Sequence, residues 1–388
     1  MSRIFLVNGK RTPYGKFGGS LKDFTPVDLA VHASKALISD LELDPLKIDH
    51  VILGNVVPSS TDTMYGGRHL ALRLGCDEKT PGYVVNRLCG SGIQSILDAV
   101  RLIKLGEAKC VLASGTENMS MVPHLTYGAR FGTKYGSLKN VDMLLDALTD
   151  KYAGCPMGVT AENLANKYEI SREECDEFAL RSHLNAAKAY EANLLQGEIA
   201  PIELKRGLCD TDEHLRFEAS IEEMAKLRAS FVKDGTVSPA NASGIVDGAA
   251  SCIIASGDFC NENGLTPLAE IVDGHVQGVD PTIMGIGPVP VIRTLLDRNK
   301  LTTDSIDLVE INEAFAAQVL SCLKELHLDI DKINSWGGAI ALGHPLASSG
   351  TRIALTLARQ LKEKGLKSGI ASACIGGGQG IGLLLKSV

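Results

Sequence analysis

The sequence predicts an α/β protein made of two similar halves, with a further segment inserted between them. Short runs rich in apolar residues alternate with helical runs at both ends of the chain, a pattern typical of α/β folds. Segments 51–53, 110–113 and 369–372 are predicted to be buried strands. The 388 residues exceed the usual size of one hydrophobic core, so two or three domains are expected.

A helix is predicted from about residue 90 to about residue 104, because apolar residues recur there at steps of three and four. These residues are Ile93, Ile96, Leu97, Val100 and Ile103. The segment Cys89-Gly90-Ser91-Gly92 is expected to lie in the first turn of this helix.

An internal repeat indicates that the two halves are copies of one α/β unit. Three pairs of short segments are each separated by 258 positions, in the same order along the chain, and such self-similarity indicates a duplicated unit. The pairs are Ile48-Asp49-His50-Val51 with Ile306-Asp307-Leu308-Val309, Ser91-Gly92 with Ser349-Gly350, and Ala113-Ser114 with Ala371-Ser372. Because each match is short, chance similarity remains the alternative at this point.

Residues from about 120 to 245 break the alternation and are predicted to form an inserted loop domain. A glycine-rich stretch is followed by a helical segment that begins with a capping box, Ser171 and Glu174. We therefore predict an N-terminal half at 1–119, completed by about 246–268, a loop domain at 120–245 and a C-terminal half at 269–388. Insertions over a rigid scaffold commonly shape a substrate site.

Composition excludes several classes of function. A formal charge of −7 argues against a nucleic-acid partner, since such proteins carry a basic face. No stretch approaches the roughly 20 uncharged apolar residues of a membrane helix, and the N-terminus lacks the features of a signal peptide. We therefore expect a cytoplasmic protein without a membrane span. The ten cysteines form no CxxC pair and the nine histidines no HExxH motif, so no metal site is expected.

Cys89 is the first candidate for a catalytic residue. It lies where a glycine-flanked turn leads into a helix, and a helix N-terminus stabilises a thiolate through its free N–H groups. Local context alone leaves two interpretations open, a nucleophile or a buried, inert cysteine.

His344 lies in a glycine-rich turn, Gly343-His344-Pro345, ahead of a helix expected near Ser348. In the repeat its counterpart is Asn86, three residues before Cys89. If the halves pack around a pseudo-dyad, the two turns meet, and His344 can pair with a thiolate or orient a substrate oxygen. A histidine that only stabilises its own turn is the alternative.

Two further segments have the composition of site loops. The segment 374–380, Cys-Ile-Gly-Gly-Gly-Gln-Gly, lacks the GxGxxG spacing of a dinucleotide loop. Its glycines are better suited to close approach of backbone N–H groups to a ligand, with Cys374 as an acid or base. Asn312 and Glu313 follow the predicted strand 308–311, at the end where α/β sheets bind ligands. No GxSxG elbow of a serine hydrolase occurs.

Four of these segments together resemble the signature motifs of the thiolase family, in the correct order. They are Asn86-Arg87-Leu88-Cys89-Gly90-Ser91-Gly92, Asn312-Glu313-Ala314-Phe315, Gly343-His344-Pro345 and Cys374-Ile375-Gly376-Gly377-Gly378. The likeness continues through Arg11-Thr12-Pro13, Gly115-Thr116-Glu117, Thr160-Ala161-Glu162-Asn163 and Asn241-Ala242-Ser243-Gly244. It therefore covers essentially the whole chain.

The resemblance implies a fold of two α/β halves in five layers, αβαβα, and an enzyme that cleaves or forms 3-ketoacyl-CoA. It implies that Cys89 is the acylated nucleophile, His344 its activator and Cys374 the proton-transferring base. Asn312 would hold a water that forms one oxyanion hole with His344. The backbone N–H groups of Cys89 and Gly376 would form the other.

The resemblance also implies that the loop domain binds coenzyme A, as a substrate and not as a cofactor, and that the active protein is a homodimer or homotetramer. The matched positions are Arg216 at the nucleotide end and, along the pantetheine, Met157, Phe231, Ser243, Ala314 and Phe315. The chain departs from the biosynthetic pattern His-Met-Gly with Cys155-Pro156-Met157-Gly158, as in thiolases of fatty-acid oxidation. It also has Pro239-Ala240 where the family often has Ala-Gly.

Two rival functions remain to be distinguished. A ketoacyl synthase acting on carrier-protein thioesters shares the duplicated fold but uses a Cys-His-His set, and Cys374 in place of the second histidine argues against it. A catalytically silent acyl-CoA carrier is the other alternative, against which the retention of all four reactive positions argues.

Overall fold

The computed structural model describes residues 3–205 and 207–388 of the chain. In these residues the strands are β1 Ile4–Arg11, β2 Gly15–Lys16, β3 His50–Gly54, β4 Gly82–Val85, β5 Cys110–Glu117, β6 His124–Thr126, β7 Asn140–Asp142, β8 Thr149–Asp150, β9 Cys155–Pro156, β10 Ile202–Leu204, β11 Gly207–Cys209, β12 Val246–Ser256, β13 Ala269–Gly278, β14 Leu308–Ile311, β15 Ser368–Ile375 and β16 Gln379–Ser387. The α-helices are α1 Pro26–Asp40, α2 Gly66–Leu74, α3 Ser91–Leu105, α4 Met143–Ala147, α5 Met157–Lys167, α6 Arg172–Glu191, α7 Ile221–Ala225, α8 Gly257–Glu262, α9 Pro288–Asn299, α10 Ala316–Leu326, α11 Ala339–Leu342 and α12 Leu346–Glu363.

Apart from the edge strand β4, the two halves have the same strand order. The N-terminal half runs β4-β3-β5-β12-β1, and the C-terminal half runs β14-β15-β16-β13. In each half the first and last strands of the unit are antiparallel neighbours, β1 with β12 and β13 with β16. A short antiparallel pairing of β1 with β13 joins the two half-sheets.

The pairing registers confirm the predicted repeat. Val51 pairs with Leu112 in the first half and Val309 with Ile370 in the second, so both strands are displaced by 258 positions, 51 to 309 and 112 to 370. The strand starts are fixed in the same way. Asp49 accepts backbone N–H bonds at the start of β5, and Asp307, 258 positions later, does so at the start of β15.

The elements form the five layers that the resemblance implies. Helices α1 and α2 cover the outer face of the N-terminal half-sheet, and α9 and α10 cover that of the C-terminal half-sheet. Between the half-sheets lie α3 and α12, whose apolar residues pack against strands of both halves in one core. The predicted helix at 90–104 is α3, which begins at Ser91 and ends at Leu105.

Two equivalent glycines allow the central helices to cross at backbone contact. A Cβ atom added to Gly92 would lie 2.4 Å from the backbone N of Thr351 and 2.5 Å from the O of Ala347. A Cβ atom on Gly350 would lie 2.6 Å from the backbone N of Ile93. The Ser-Gly repeat of the sequence therefore marks the place where the pseudo-dyad passes between the halves.

The chain between β5 and β12 forms the insertion, with β6–β11 and α4–α7. Its longest helix, α6, begins with the predicted capping box, in which Ser171 and Glu174 exchange hydrogen bonds. Buried Arg11 of β1 anchors the insertion by ion pairs to Glu198 and Asp212, both at 2.7 Å. The domain boundaries themselves stay a prediction. In the described part of the chain, no helix is both long and apolar enough to cross a membrane.

Candidate active site

Cys89 lies in a tight turn just before α3. The preceding residue, Leu88, has a φ of +47°, a conformation that costs a non-glycine residue about 1–3 kcal/mol and is common at functional sites. Asn86 stabilises it by accepting the N–H of Leu88 at 2.9 Å, and the hydroxyl of Ser91 donates to the Leu88 carbonyl at 2.7 Å. Since the helix begins at Ser91, the expectation that Cys89 lies in its first turn was wrong by two residues.

The thiol of Cys89 is not a preformed thiolate. Burial raises its pKa to about 11, although the backbone N–H groups of Gly376 and Cys89 act in the opposite direction. The nearby carboxyl of Glu117 adds to the rise. The helix N-terminus that the sequence offered as a stabiliser of the thiolate is therefore outweighed by desolvation. To act as a nucleophile, Cys89 would need a base that removes its proton.

His344 is a buried neutral imidazole. Its Nδ1 lies 2.6 Å from the hydroxyl of Ser349 and its Nε2 lies 3.3 Å from the Nδ2 of Asn312. Ser349 also donates to the carbonyl of Pro345 at 3.1 Å, which favours the tautomer with the proton on Nδ1 and leaves Nε2 as the acceptor. Burial and, to a smaller extent, the charge of Arg352 together lower the pKa of His344 to about 3. The sequence allowed an ion pair between a Cys89 thiolate and a protonated His344. At rest this pair is not formed, because Cys89 is a neutral thiol and His344 a neutral imidazole.

Cys374 lies near the end of β15, at the start of the glycine turn that leads to β16. Burial raises the pKa of its thiol well above the ordinary value, and the charge of a Cys89 thiolate would raise it further. The two thiols therefore lie within electrostatic reach of each other. In the turn, Gly377 and Gly378 have φ angles of +80° and +78°, a conformation that favours glycine. The backbone N–H of Gly376 hydrogen-bonds the sulfur of Cys89.

A cavity of about 310 Å³ opens beside His344. Its lining is mainly apolar and consists of Met119, Leu145, Leu148, Pro156, Met157, Gly158, Phe231, Ala242, Ser243, Gly244, Ile245, Phe315, His344 and Leu346. The ring of Phe231 is 42% exposed and packs edge-on against Phe315, with 6.3 Å between ring centroids. Four of the six residues predicted to contact coenzyme A, Met157, Phe231, Ser243 and Phe315, therefore share one cavity.

Two of the residues predicted to contact coenzyme A do not line this cavity. Ala314 is buried behind it, and its carbonyl accepts the N–H of Ser243 at 3.0 Å. Arg216 is exposed on the surface, and its backbone N–H donates to Nδ1 of His183 at 3.3 Å. The role of Arg216 toward a nucleotide stays a prediction.

An apolar wall next to Cys89 was not predicted from the sequence. Cys89 and Leu88 pack against Met119, Leu144 and Leu346, within a cluster that also includes Val56 and Val57. Met119 and Leu346 line the cavity as well. The wall comes from both halves and from the insertion, so no single stretch of sequence shows it.

The contacts of Glu117 are a second feature that the sequence did not reveal, although Gly115-Thr116-Glu117 belongs to the resemblance. Its buried carboxylate accepts N–H bonds from Val56, Val57 and Ala347 and from the side chain of Asn55. Burial raises its pKa to about 7, against the effect of these donors. Glu117 therefore joins the loop after β3 to the start of α12, on either side of Cys89.

Arg87 joins the two thiol-bearing turns. Its Nε donates to Gln94 of α3 at 2.7 Å, and its Nη1 donates to Gln379, the first residue of β16, at 2.8 Å. The Cys89 turn is thereby tied to the strand that follows the Cys374 turn. This bond explains how turns from different halves keep a fixed separation.

The chain is similar to known proteins over nearly its whole length. The family model described as thiolase, N-terminal domain, matches residues 4–258, and thiolase, C-terminal domain, matches residues 265–387. The human protein named 3-ketoacyl-CoA thiolase, mitochondrial, is 49% identical over 99% of this chain and 98% of its own length. A probable acetyl-CoA acyltransferase of Staphylococcus aureus (strain N315) is 44% identical over 100% of this chain and 99% of its own.

Solved structures show the same fold. The crystal structure of human mitochondrial 3-ketoacyl-CoA thiolase in complex with CoA has a TM-score of 0.98 and 49% identity, covering 100% of this chain and 98% of that chain. With family models over nearly the whole length and full-length relatives at this identity, the chain is an enzyme of the thiolase family.

Proposed function

We propose that this enzyme transfers acyl groups between coenzyme A thioesters by way of an acyl-Cys89 intermediate. The substrates are a 3-ketoacyl-CoA and free coenzyme A in the degradative direction, and two acetyl-CoA molecules in the reverse Claisen condensation. The observation that carries the proposal is that two thiols, Cys89 and Cys374, lie within electrostatic reach of each other and pack against residues of the apolar cavity that His344 lines.

In the first step of cleavage, Cys89 gives its proton to Nε2 of His344 and its sulfur attacks the 3-keto carbon. The negative charge on the keto oxygen is stabilised by Nε2–H of His344 together with a water held by Asn312. In the described residues the Oδ1 of Asn312 has no hydrogen-bond partner, which supports a role in holding such a water. The bond between C2 and C3 then breaks, and the thiol of Cys374 protonates C2 of the departing acetyl-CoA enolate.

Before the second step, the proton held by His344 returns Cys374 to its thiol form. Free coenzyme A then gives its proton to Nε2 of His344, and its sulfur attacks the acyl carbon on Cys89. The bond from Cys89 sulfur to the acyl carbon breaks, and Cys89 regains its proton from His344. The N–H groups of Cys89 and Gly376 are the second set of oxyanion donors, consistent with the N–H of Gly376 acting on the Cys89 sulfur. In condensation the same groups work in reverse, and Cys374 removes the proton from acetyl-CoA.

The cavity supports coenzyme A as the ligand. Its apolar lining, with the exposed ring of Phe231 at its edge, suits a pantetheine arm, and the human relative has been solved in complex with CoA. The enzyme is proposed to work as a homodimer or homotetramer in the cytoplasm and to require no cofactor. Since the human relative is named mitochondrial, localisation by microscopy of the tagged protein is the direct test of the location.

Covalent labelling tests the central claim. Enzyme incubated with labelled acetyl-CoA, then digested and mapped, should carry the label on the Cys89 peptide alone. Label on the Cys374 peptide, or on no cysteine, would contradict the proposal. Thiolysis rates for 3-ketoacyl-CoA substrates of increasing chain length, with acetyl-CoA condensation measured alongside, would then establish the preferred substrate. A ketoacyl synthase would instead require a carrier-protein thioester, and a silent carrier would release no coenzyme A.

A further inference from the structure

Arg352 is a buried cation that the proposed reaction has not used. It lies in the middle of α12 and is 0% exposed. In the described part of the chain none of its three guanidinium nitrogens has a hydrogen-bond acceptor. Among the residues that the structure describes, its one ion pair joins Nη1 to Oε2 of Glu310 at 3.6 Å. A buried charge that is so weakly compensated has a strong effect on its neighbours, because the surrounding dielectric constant is low.

Two elements place this ion pair directly behind His344. On α12, Ser349 and Arg352 are three residues apart and share one face of the helix, and Ser349 holds Nδ1 of His344. Next to it, Glu310 and Asn312 are two residues apart and lie on the same face of the strand, and Asn312 contacts Nε2 of His344. Asn312, His344 and Ser349 therefore form one row, and Glu310 with Arg352 forms a second row beneath it.

The second row is fixed from the surface inward. Glu310 accepts the side-chain amide of Gln360 at 2.7 Å, Gln360 accepts the hydroxyl of Ser335 at 2.7 Å, and Ser335 accepts the ammonium of Lys364 at 2.8 Å. Glu310 is thereby oriented toward Arg352 by bonds that do not involve the guanidinium. Side chains on a helix point toward its N-terminus, which directs Arg352 from α12 toward Ser349 and His344.

We propose that Arg352 is a positioning residue that acts on the reaction through His344, by opposing a positive charge on the imidazole. When Cys89 passes its proton to Nε2, the guanidinium makes the imidazolium a stronger acid. His344 then gives the proton to the departing thiolate instead of retaining it. In acylation by acetyl-CoA the bond from Cys89 sulfur to the acetyl carbon forms, the bond from that carbon to the sulfur of coenzyme A breaks, and the departing thiolate receives the proton from His344. This inference rests on the proposed function for the identity of that leaving group.

Other ionisable groups surround these two rows and must be separated from the effect of Arg352. They are Cys89 and Glu117 of the N-terminal half, Tyr14 after β1, Glu198 of the insertion, and Glu310, Glu313 and Cys374 of the C-terminal half. Burial raises the pKa of both Glu117 and Glu310 to about 7. A pH–rate profile alone would mix their titration with that of His344, so the imidazole must be observed directly.

The direct experiment is a histidine NMR titration of the whole enzyme, with the His344 signal assigned by its loss in His344→Gln. In Arg352→Met the titration midpoint of His344 should rise by about one pH unit, the usual effect of removing a nearby charge, so that the protonated fraction near pH 5 grows about tenfold. Arg352→Lys retains the charge and should keep the wild-type titration. Arg359→Met removes a cation from the same helix, where the guanidinium bonds Asn8 instead, and should also leave it unchanged.

A second variant guards against loss of the fold. The double variant Arg352→Met, Glu310→Gln removes both charges of the ion pair, so no buried charge is left uncompensated. The new side chain at position 310 can still accept the amide of Gln360. The titration midpoint of His344 should therefore rise as in the single variant. An unchanged midpoint in both folded variants would overturn the proposal. A rise that appears equally in Arg359→Met would do the same, because it would reflect general loosening. The titration needs no substrate, so it is independent of the proposed acyl transfer. If that proposal alone failed, the titration midpoint of His344 would still rise in Arg352→Met, but the wild-type enzyme would not exchange coenzyme A into acetyl-CoA.

Discussion

The two halves of this enzyme have the same backbone plan but carry different chemistry. Under the 258-residue displacement, Cys89 of the N-terminal half corresponds to Ala347, and Asn86 corresponds to His344. Cys374 has Thr116 as its counterpart in the first half. The proposed nucleophile thus comes from one copy, whereas the imidazole and the second thiol come from the other.

The difference teaches how a duplicated unit makes an asymmetric site. Both copies deliver a turn to the pseudo-dyad, just before the central helices cross at Gly92 and Gly350. Asn86 and His344 occupy equivalent places, yet Asn86 stabilises its own turn by bonding Val56 and Leu88. His344 instead faces the cavity. Duplication supplied the geometry, and divergence of a few side chains divided the roles between the halves.

The sharpest way to test this division is to remove one thiol at a time. Acylation of Cys89 by acetyl-CoA needs no proton taken from carbon, so Cys374→Ala should still exchange labelled coenzyme A into acetyl-CoA. Condensation requires deprotonation of a second acetyl-CoA, and should fall by about 10²–10⁴-fold, the usual contribution of a positioned base. Cys89→Ala should lose both activities.

Cys252→Ala is the matched control for that experiment, since Cys252 is a buried cysteine of β12 in the central core. It should retain both exchange and condensation in a constant ratio. If exchange and condensation fall in parallel in Cys374→Ala, the second thiol is not a dedicated carbon base. The division of labour between the halves would then be wrong.

The helix crossing offers a test in which the halves should behave alike. In both Gly92→Ala and Gly350→Ala the new Cβ atom meets backbone of the other central helix, within 2.4–2.6 Å. Overpacking of this kind should lower the free energy of unfolding by about 3 kcal/mol, more than the roughly 1 kcal/mol that alanine gains over glycine in a helix. Denaturant unfolding of the two variants measures this.

Gly66→Ala in α2 is the matched control, because its added Cβ would meet the movable end of the Leu53 side chain at 2.7 Å and no backbone within 3.4 Å. Its loss of stability should be clearly smaller. Equal stability of the wild type and both crossing variants would show that the central helices do not approach at these glycines.

Much of the scaffold could be predicted from the sequence, and the residues proposed to react could be named from it, for a physical reason. Strand and helix periodicity, the Ser-Gly repeat and the motifs around Cys89, His344 and Cys374 are local in the chain. The residues that escaped prediction act through contacts between distant segments. Glu117 bonds the loop after β3 and the start of α12, and Arg352 reaches Glu310 from another element. Burial, which sets the pKa of Cys89, is likewise a property of the assembled fold.

Each half also buries one carboxyl at a position where the other half has isoleucine. The position equivalent to Glu117 is Ile375, and the position equivalent to Glu310 is Ile52. Burial raises the pKa of Glu117 to about 7, from an ordinary value of 4.5. A carboxyl whose folded pKa is raised stabilises the protein fully below its unfolded pKa, and this contribution is lost as pH rises through the folded pKa. Glu117→Gln should remove this dependence.

Unfolding by urea at about pH 5 and about pH 8 measures the effect. From about pH 5 to about pH 8 the wild type should lose unfolding free energy that Glu117→Gln keeps. The variant should therefore gain up to about 3 kcal/mol relative to the wild type over this range, at 1.36 kcal/mol for each unit of pKa shift. Lys104→Gln, a change on α3, should show no such change between the two pH values. A difference between Glu117→Gln and the wild type that is independent of pH would mean that Glu117 is ionised in both states.

The smallest expected effect lies outside both halves, at Arg216 of the insertion. If this exposed guanidinium contacts a phosphate of coenzyme A, the contact is the same in the ground state and the transition state. Arg216→Ala should therefore raise KM and leave kcat nearly unchanged. Because an exposed ion pair contributes only up to about 1 kcal/mol, the rise in KM should be about threefold to fivefold and should shrink at high salt.

The matched control is Arg101→Ala, which removes an exposed arginine of α3 paired with Asp98 and should change neither KM nor kcat. A fall in kcat at constant KM would instead assign Arg216 to the structure of the insertion, where its neighbour His183 is buried. Coenzyme A would then be bound without a phosphate contact at Arg216.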